Sequence, residues 1–339
     1  MNADELTEIL KKSGVLKTGK VVQVLNRSEQ SNTARLSRLI VTYSKKAKGE
    51  LPEALILKTY SGNDHGTSEL ELYTRIASAI SEAPVPRCFL AEEVPGGGYR
   101  LLLEDFSETH KPLWEHRYTE KDAHRIAEAF ARFHAAWWDS PLLSEVGNLP
   151  TKAVINHYAE TVTPGIVPMC EAYGRETLSS LQLLDLAKTH FSQMKTRAKR
   201  GNLTVIHGDP NPGNLLSPRN ETSGGRIFLI DRQPFDWNLT VWTGASDLTY
   251  TMIHWWEVED RRELETILLD HYHAELLRHG VSPLYTRQDL QEDYRLSILQ
   301  SLYVAVHWCI DPNEREKMAW LWNSQLTKTL VALRDWNLI

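Results

Sequence analysis

The sequence predicts an α+β fold in two lobes, a small antiparallel-sheet lobe over residues 1–105 and a larger, mainly helical lobe over 106–339. Three observations carry this. Strand-forming runs crowd the first hundred residues, helical periodicity dominates after Phe106, and one strand–loop–strand unit, Leu203–Asp231, interrupts the helices.

The opening stretch, MNADELTEILKKSG, reads as a short amphipathic helix. Lys20–Leu25 (KVVQVL), Leu36–Tyr43 (LSRLIVTY) and Glu53–Tyr60 (EALILKTY) are rich in β-branched and apolar residues, and the turn-prone NRSEQSNT and SKKAKGELP separate them. A helix is expected over Ser68–Ile80, where Leu72, Ile76 and Ile80 recur at helical spacing before Pro84 and Pro86. RCFLAEEV and YRLLLEDF flank PGGG, a hairpin signal. Beyond Phe106, Thr119 and Asp122 approximate a capping box, and Ile126, Phe130, Phe133 and Trp137 form one stripe. Further helical patterns run over 176–199, 244–257, 260–279, 287–309 and 313–334. Two lobes and a connector near Leu103–Glu108 imply a cleft, a common place for ligands.

Charge and cysteine content narrow the function. The net charge of −6 spreads Lys and Arg among Asp and Glu, which disfavours binding along a nucleic-acid backbone. Cys88, Cys170 and Cys309 are odd in number and far apart, as expected of free thiols in a reducing compartment. There is no apolar run of about 18 residues. The expectation is a cytoplasmic protein, monomer or homodimer, that engages neither membrane nor nucleic acid.

The chemistry concentrates in His207-Gly-Asp209-Pro-Asn-Pro-Gly-Asn214. Two prolines deny this loop a helix and stiffen it. Asp209 and Asn214 are thereby fixed beside a short strand, and a second carboxylate, Asp231, ends the next one. A carboxylate and an amide oxygen, completed by water and phosphate oxygens, suit Mg²⁺. Asp209 is then free to orient a substrate hydroxyl and take its proton. That is the division of labour phosphoryl transfer needs. Asp-Pro and Asn-Pro are also ordinary turn dipeptides, so the loop alone does not decide between a turn and a site. Lys58, ending the doubly apolar run LILK, calls for an anionic partner if its strand is buried on both faces.

His207–Asn214 followed by FLID resembles the catalytic signature of the aminoglycoside phosphotransferase and choline kinase-like superfamily, small-molecule kinases with the protein-kinase fold. ALILKTY, ELELYTRI, LLLEDF and FARFHAAWWD fit the superfamily's third strand, following helix, interlobe hinge and long helix in order and rough spacing. LLLEDF, HAAWW and HGDPNPGNLL look nearest the ecdysteroid-kinase-like branch. The resemblance implies ATP (or GTP) and Mg²⁺. It makes Asp209 the catalytic base, Asn214 and Asp231 the metal ligands, and Lys58 the contact to the α- and β-phosphates. Glu69 is the first choice as partner of Lys58 and Glu71 the second, because residues two apart on a helix point in different directions. The main chain of Glu104–Phe106 would meet the purine edge. His207 would brace the loop, as would Asp247 in SDLTY from a helix N-terminus.

Two departures stand out. Where protein kinases carry a glycine-rich loop, this chain has NRSEQSNTA without glycine, leaving Ser28, Ser31 and Asn32 as candidate phosphate donors. Asp231 is followed by Arg232-Gln233 instead of Phe-Gly. The leading reading is transfer of a γ-phosphate to a small-molecule hydroxyl. A nucleotide-binding pseudokinase or scaffold is the alternative. A protein kinase is disfavoured because only 15 residues separate Asp231 from Asp247 and no Ala-Pro-Glu occurs. Acceptor contacts are sought at Asp236, Trp237, His254, Trp255, Trp308 and Asp311. Most of the 11 tryptophans are expected in the core. The motif HYH (His271–His273) is set aside as a surface feature, because histidines two apart on a helix diverge.

Overall fold

The computed structural model describes residues 1–30, 34–61, 68–95, 97–115, 117–174, 179–220, 225–234 and 239–339. Two compact units divide the chain, the first Met1–Ser81, Val85–Lys111 and Ser217–Ile230, the second Glu82–Pro84, Pro112–Leu216 and Asp231–Ile339.

The first unit opens with helix α1 (Ala3–Lys12), started by a capping box in which Asn2 and Glu5 satisfy each other's main-chain N–H. Strands β1 (Leu16–Thr18), β2 (Val21–Gln30), β3 (Arg35–Tyr43), β4 (Lys48–Gly49) and β5 (Ala54–Ser61) follow, then the short helix α2 (Ser68–Glu71), β6 (Cys88–Glu93), β7 (Gly98–Glu104) and β8 (His110–Pro112). Five of these strands form an antiparallel sheet in the order β2–β3–β5–β7–β6. Leu6 and Leu10 of α1 are fully buried in one cluster with Leu39, Leu55, Leu57 and Leu102 of the sheet. The Thr7 hydroxyl accepts the Val21 N–H at 2.9 Å and ties the helix to β2.

The helix expected over Ser68–Ile80 departs from regular geometry. After α2 the chain is π-helical over Leu72–Ile76 and 3₁₀ over Ala77–Ala79. Thr74 donates its hydroxyl to the Leu70 carbonyl and Ser78 bonds back to Thr74 and Arg75. Side chains of this kind compete with the regular ladder and bend it.

In the second unit come α3 (Glu120–Ala135), α4 (Leu143–Val146), α5 (Lys152–Val162), α6 (Ile166–Tyr173), α7 (Ser180–Arg197) and β9 (Thr204–Val205). Strands β10 (Leu215–Pro218) and β11 (Phe228–Leu229), whose residues from Ser217 on belong to the first unit, join β8 in a sheet of order β11–β10–β8. The chain ends with β12 (Val241–Trp242), α8 (Ala245–Trp255), α9 (Val258–Arg278), α10 (Arg287–Trp308), α11 (Pro312–Lys317) and α12 (Ala319–Asp335). Thr119 and Asp122 do form the capping box that starts α3, whose Ile126, Phe130 and Phe133 are fully buried. Helix α10 packs against both α8 and α12. Trp242, Trp256 and Trp322 are core residues, whereas Trp320 and Trp114 stay exposed. Among the described residues no helix is long and apolar enough to cross a membrane. The three cysteines are free thiols.

Candidate active site

In the first unit Lys58 stands on β5, paired with Leu36 of β3 on one side and Leu101 of β7 on the other. Being central, it is only 9% exposed. Its Nζ lies 2.7 Å from Oε2 of Glu69, which is 5% exposed, so Glu69, the first choice, is an ion-pair partner. The Tyr99 hydroxyl donates to the same oxygen at 2.8 Å, and its ring stacks on Tyr60. Desolvating such a pair costs about as much as its attraction returns, so it contributes little to stability and fixes an ammonium in place.

Two main-chain groups expected at a purine edge are committed within this unit. The Glu104 N–H donates to Arg87 at 2.9 Å, and the Phe106 carbonyl accepts from Thr109 and His110 at 3.0 and 2.8 Å. The Phe106 ring stacks on Phe228 at 4.2 Å. Ser31 and Asn32, with the side chain of Ser28, lie outside the described residues.

In the second unit, helix α8 braces the loop at consecutive residues. The Asp247 carboxylate accepts the main-chain N–H of His207 at 2.6 Å and of Gly208 at 2.9 Å. His134 of α3 bonds the same carboxylate at 3.1 Å through Nε2, and Tyr272 of α9 through Nδ1. Burial alone would raise the Asp247 pKa; the His134 bond and charge, the His207 charge and the Gly208 N–H outweigh it and hold the group low. One turn on, the Tyr250 hydroxyl donates to Asp209 Oδ1 at 2.8 Å, and Thr251 Oγ1 donates to the Pro210 carbonyl at 3.0 Å. The tyrosine and threonine belong to the same SDLTYT stretch as Asp247, and their role was not read from it. Helical spacing of 247, 250, 251 and 254 is the signal that could have revealed them.

The other Asp209 oxygen, Oδ2, accepts from Asn211 at 3.0 Å and Asn214 at 3.3 Å. Asn214 Nδ2 also donates to the Asp209 carbonyl at 2.8 Å. That contact fixes the amide, since a carbonyl can only accept, and it turns Asn214 Oδ1 away from the aspartate. The 3₁₀ turn Pro212–Asn214, capped by Asn211, delivers it there. Burial, with a smaller contribution from the nearby Asp231 charge, pushes the Asp209 carboxyl up to about 6 against the Tyr250, Asn211 and Asn214 bonds. Asp209 and Asp231 keep part of their surface accessible.

Asp231 adopts a left-handed backbone, φ 56°, which aspartate tolerates better than most residues. The turn sends the next side chain inward. Arg232 is 2% exposed and its Nε donates to the Ile206 carbonyl at 2.9 Å. The departure from Phe-Gly is therefore an anchor between the two strand ends. Gly208 has φ +87°, and a Cβ there would stand 2.5 Å from Cα of Pro234. Both contacts hold the Asp231 segment against the His207–Asn214 loop.

The acceptor candidates fare unequally. His254 is 2% exposed and bonds the Ser301 carbonyl through Nε2, behind Tyr250 rather than at a surface. Trp255 is half-buried and meets Trp114 edge-on at 5.3 Å. Trp114, missed in the sequence, presses its indole on Gly213 and is 53% exposed. Trp308 is half-buried at the end of α10. Asp311 caps α11, accepting from Asn313 and Glu314. Asp236 and Trp237 lie outside the described residues. Two cavities of this unit, about 560 Å³ beside α7 and α10 and about 600 Å³ beside α5 and α7, are lined by none of Asp209, Asn214 and Asp231.

The donor set fits a hard cation: Asn214 offers an oriented amide oxygen and Asp231 a carboxylate. Among the described residues no group of three or more His, Cys, Asp or Glu side chains is arranged to hold a metal.

No curated protein matches the chain. Solved structures do. A glucosamine kinase in complex with glucosamine, ADP and inorganic phosphate is 14% identical over 97% of this chain and 83% of its own, with a TM-score of 0.57. The streptomycin–ATP–APH(2″)-IIa ternary complex is 12% identical over 95% and 96%, with a TM-score of 0.51. The macrolide 2′-phosphotransferase of Brachybacterium faecium is 13% identical over 96% and 97%, with a TM-score of 0.50. At these identities the likeness establishes the fold, α+β and kinase-like. Over residues 31–281 the sequence also matches the model of one family, and by that match the chain belongs to the ecdysteroid kinase-like family.

Proposed function

We propose that the protein transfers the γ-phosphate of ATP, or of GTP, to a hydroxyl of a small molecule. The observation that carries this reading is the state of Asp209. Three side-chain donors hold its carboxylate, and Asn214 beside it has one amide oxygen turned outward. With its pKa raised to about 6, Asp209 is still ionised at neutral pH and basic enough to accept a hydroxyl proton. Asn214 and Asp231 would hold magnesium, which when bound supplies charge neutralisation on the phosphate oxygens. Lys58, kept in place by Glu69, would bind the α- and β-phosphates. The ADP and ATP in two of the neighbouring structures support ATP as donor.

The test is a panel of hydroxylated small molecules with magnesium and ATP or GTP. Nucleoside diphosphate release is followed, and mass spectrometry identifies the phosphorylated product. Asp209→Asn and Asp231→Ala should each lower turnover at least about 100-fold at unchanged melting temperature. Near-full turnover in Asp209→Asn would refute the mechanism. Magnesium-dependent nucleotide binding without transfer to any acceptor would favour a pseudokinase.

A further inference from the structure

An ionised carboxylate has about four lone-pair sites, two on each oxygen. On Asp209, Oδ2 accepts from two amides, Asn211 and Asn214. Oδ1 accepts from the Tyr250 hydroxyl and, among the described residues, from no other donor. One site is left, on the oxygen that Tyr250 already holds.

Tyr250 is itself held. It lies on α8 between Asp247 and Thr251, whose side chains bind the loop main chain on either side of Asp209. Its ring meets His254 edge-on at 4.8 Å, and His254 is anchored to the Ser301 carbonyl of α10. The helix that fixes the loop main chain also fixes the phenol aimed at the loop's carboxylate.

We propose that Tyr250 is a positioning residue for phosphoryl transfer, setting the rotation of the Asp209 carboxylate so that the acceptor hydroxyl binds Oδ1 beside the phenol. The inference rests on the phosphotransferase reading above. In the transfer step the acceptor oxygen bonds to the γ-phosphorus, the bond to the leaving diphosphate breaks, and the acceptor proton passes to Oδ1. Tyr250 remains a neutral donor throughout. Burial and the Asp209 charge both keep its proton in place. Without the phenol the carboxylate is held at Oδ2 alone, by Asn211 and Asn214, and Oδ1 loses the donor that sets where its open site points.

The probe is magnesium-ATP hydrolysis, transfer to water, which needs Asp209 and no identified acceptor. Tyr250→Phe removes one hydroxyl and keeps the ring. A hydrogen bond to a charged group is worth about 1.5–3 kcal/mol, so kcat should fall roughly 10- to 100-fold. The KM for magnesium-ATP should stay within about twofold and the melting temperature within about 2 °C, a split that a merely structural role would not give. Tyr250→Phe with wild-type kcat would overturn the inference and leave the phosphotransferase reading standing. A fall in kcat accompanied by a lower melting temperature would also overturn it. Wild-type protein that transfers phosphate neither to water nor to any alcohol of the panel would overturn both.

Discussion

Asp247→Asn isolates the bracing of the His207–Asn214 loop from the chemistry proposed for it. The carboxylate is 1% exposed and serves three donors, the N–H groups of His207 and Gly208 and the His134 ring. An amide of the same shape keeps one oxygen and turns the other into a donor facing a donor. At least one charge-assisted bond is lost, worth about 1.5–3 kcal/mol, and a buried N–H is left without an acceptor at about 1–3 kcal/mol more. The sum is on the order of 4 kcal/mol, the size expected for breaking a buried charged pair. If that cost is met by local opening, the His207 and Gly208 amides should exchange about 10³-fold faster. Native-state hydrogen exchange with mass spectrometry, read on a peptide spanning Leu203–Asn214, measures it without any substrate. Protection within about threefold of wild type would refute the argument. The variant also tests the charge: Asp247 is held low, so its contribution is present at neutral pH and is lost only as pH falls through the folded-state value.

Two further outcomes follow from the same packing. Gly208→Ala places a Cβ 2.5 Å from Pro234 Cα at a backbone of φ +87°, and should cost at least about 2 kcal/mol in denaturant unfolding; an unchanged urea midpoint would show that the loop is looser than its contacts imply. His190 and His254 are buried and neutral, their pKa values lowered by burial to about 4 from 6.5. The unfolded chain therefore binds more protons between those values, and stability should fall by up to about 3 kcal/mol per histidine as pH drops from 6.5 towards 4. A melting temperature flat over that interval would contradict the assignment.

Much of the candidate site was legible because its residues are punctuated. Asp209 and Asn214 sit among prolines and glycines that read as a rigid loop, and Asp231 ends an apolar run. Lys58 was legible because LILK is apolar at successive positions within a β-rich stretch, as a strand buried on both faces would be. The supports were harder to see. Tyr250 looks like one more aromatic on a helix, and its meaning depends on which way α8 faces. Arg232 reads as a surface cation until the left-handed turn at Asp231 sends it inward. Helices α5 and α6 carried no expectation at all, since Pro164, Gly165 and Pro168 break the pattern between them. The structure places the first two in a 3₁₀ turn and Pro168 in the first turn of α6, where a missing N–H costs nothing.

The first unit is assembled from three separate stretches of chain, and this has a consequence for synthesis. Its five-stranded sheet can close once residue 104 has left the ribosome, but β8 must wait for β10 and β11. Until Ser217–Ile230 emerge, the β8 edge stays unpaired and the Phe106 ring lacks Phe228. A nascent chain stalled between those points would carry an incomplete first unit, exposed to chaperones and to pairing with other edges. Severing the gene between β8 and β10, after residue 112 and before residue 215, would make that transient state permanent.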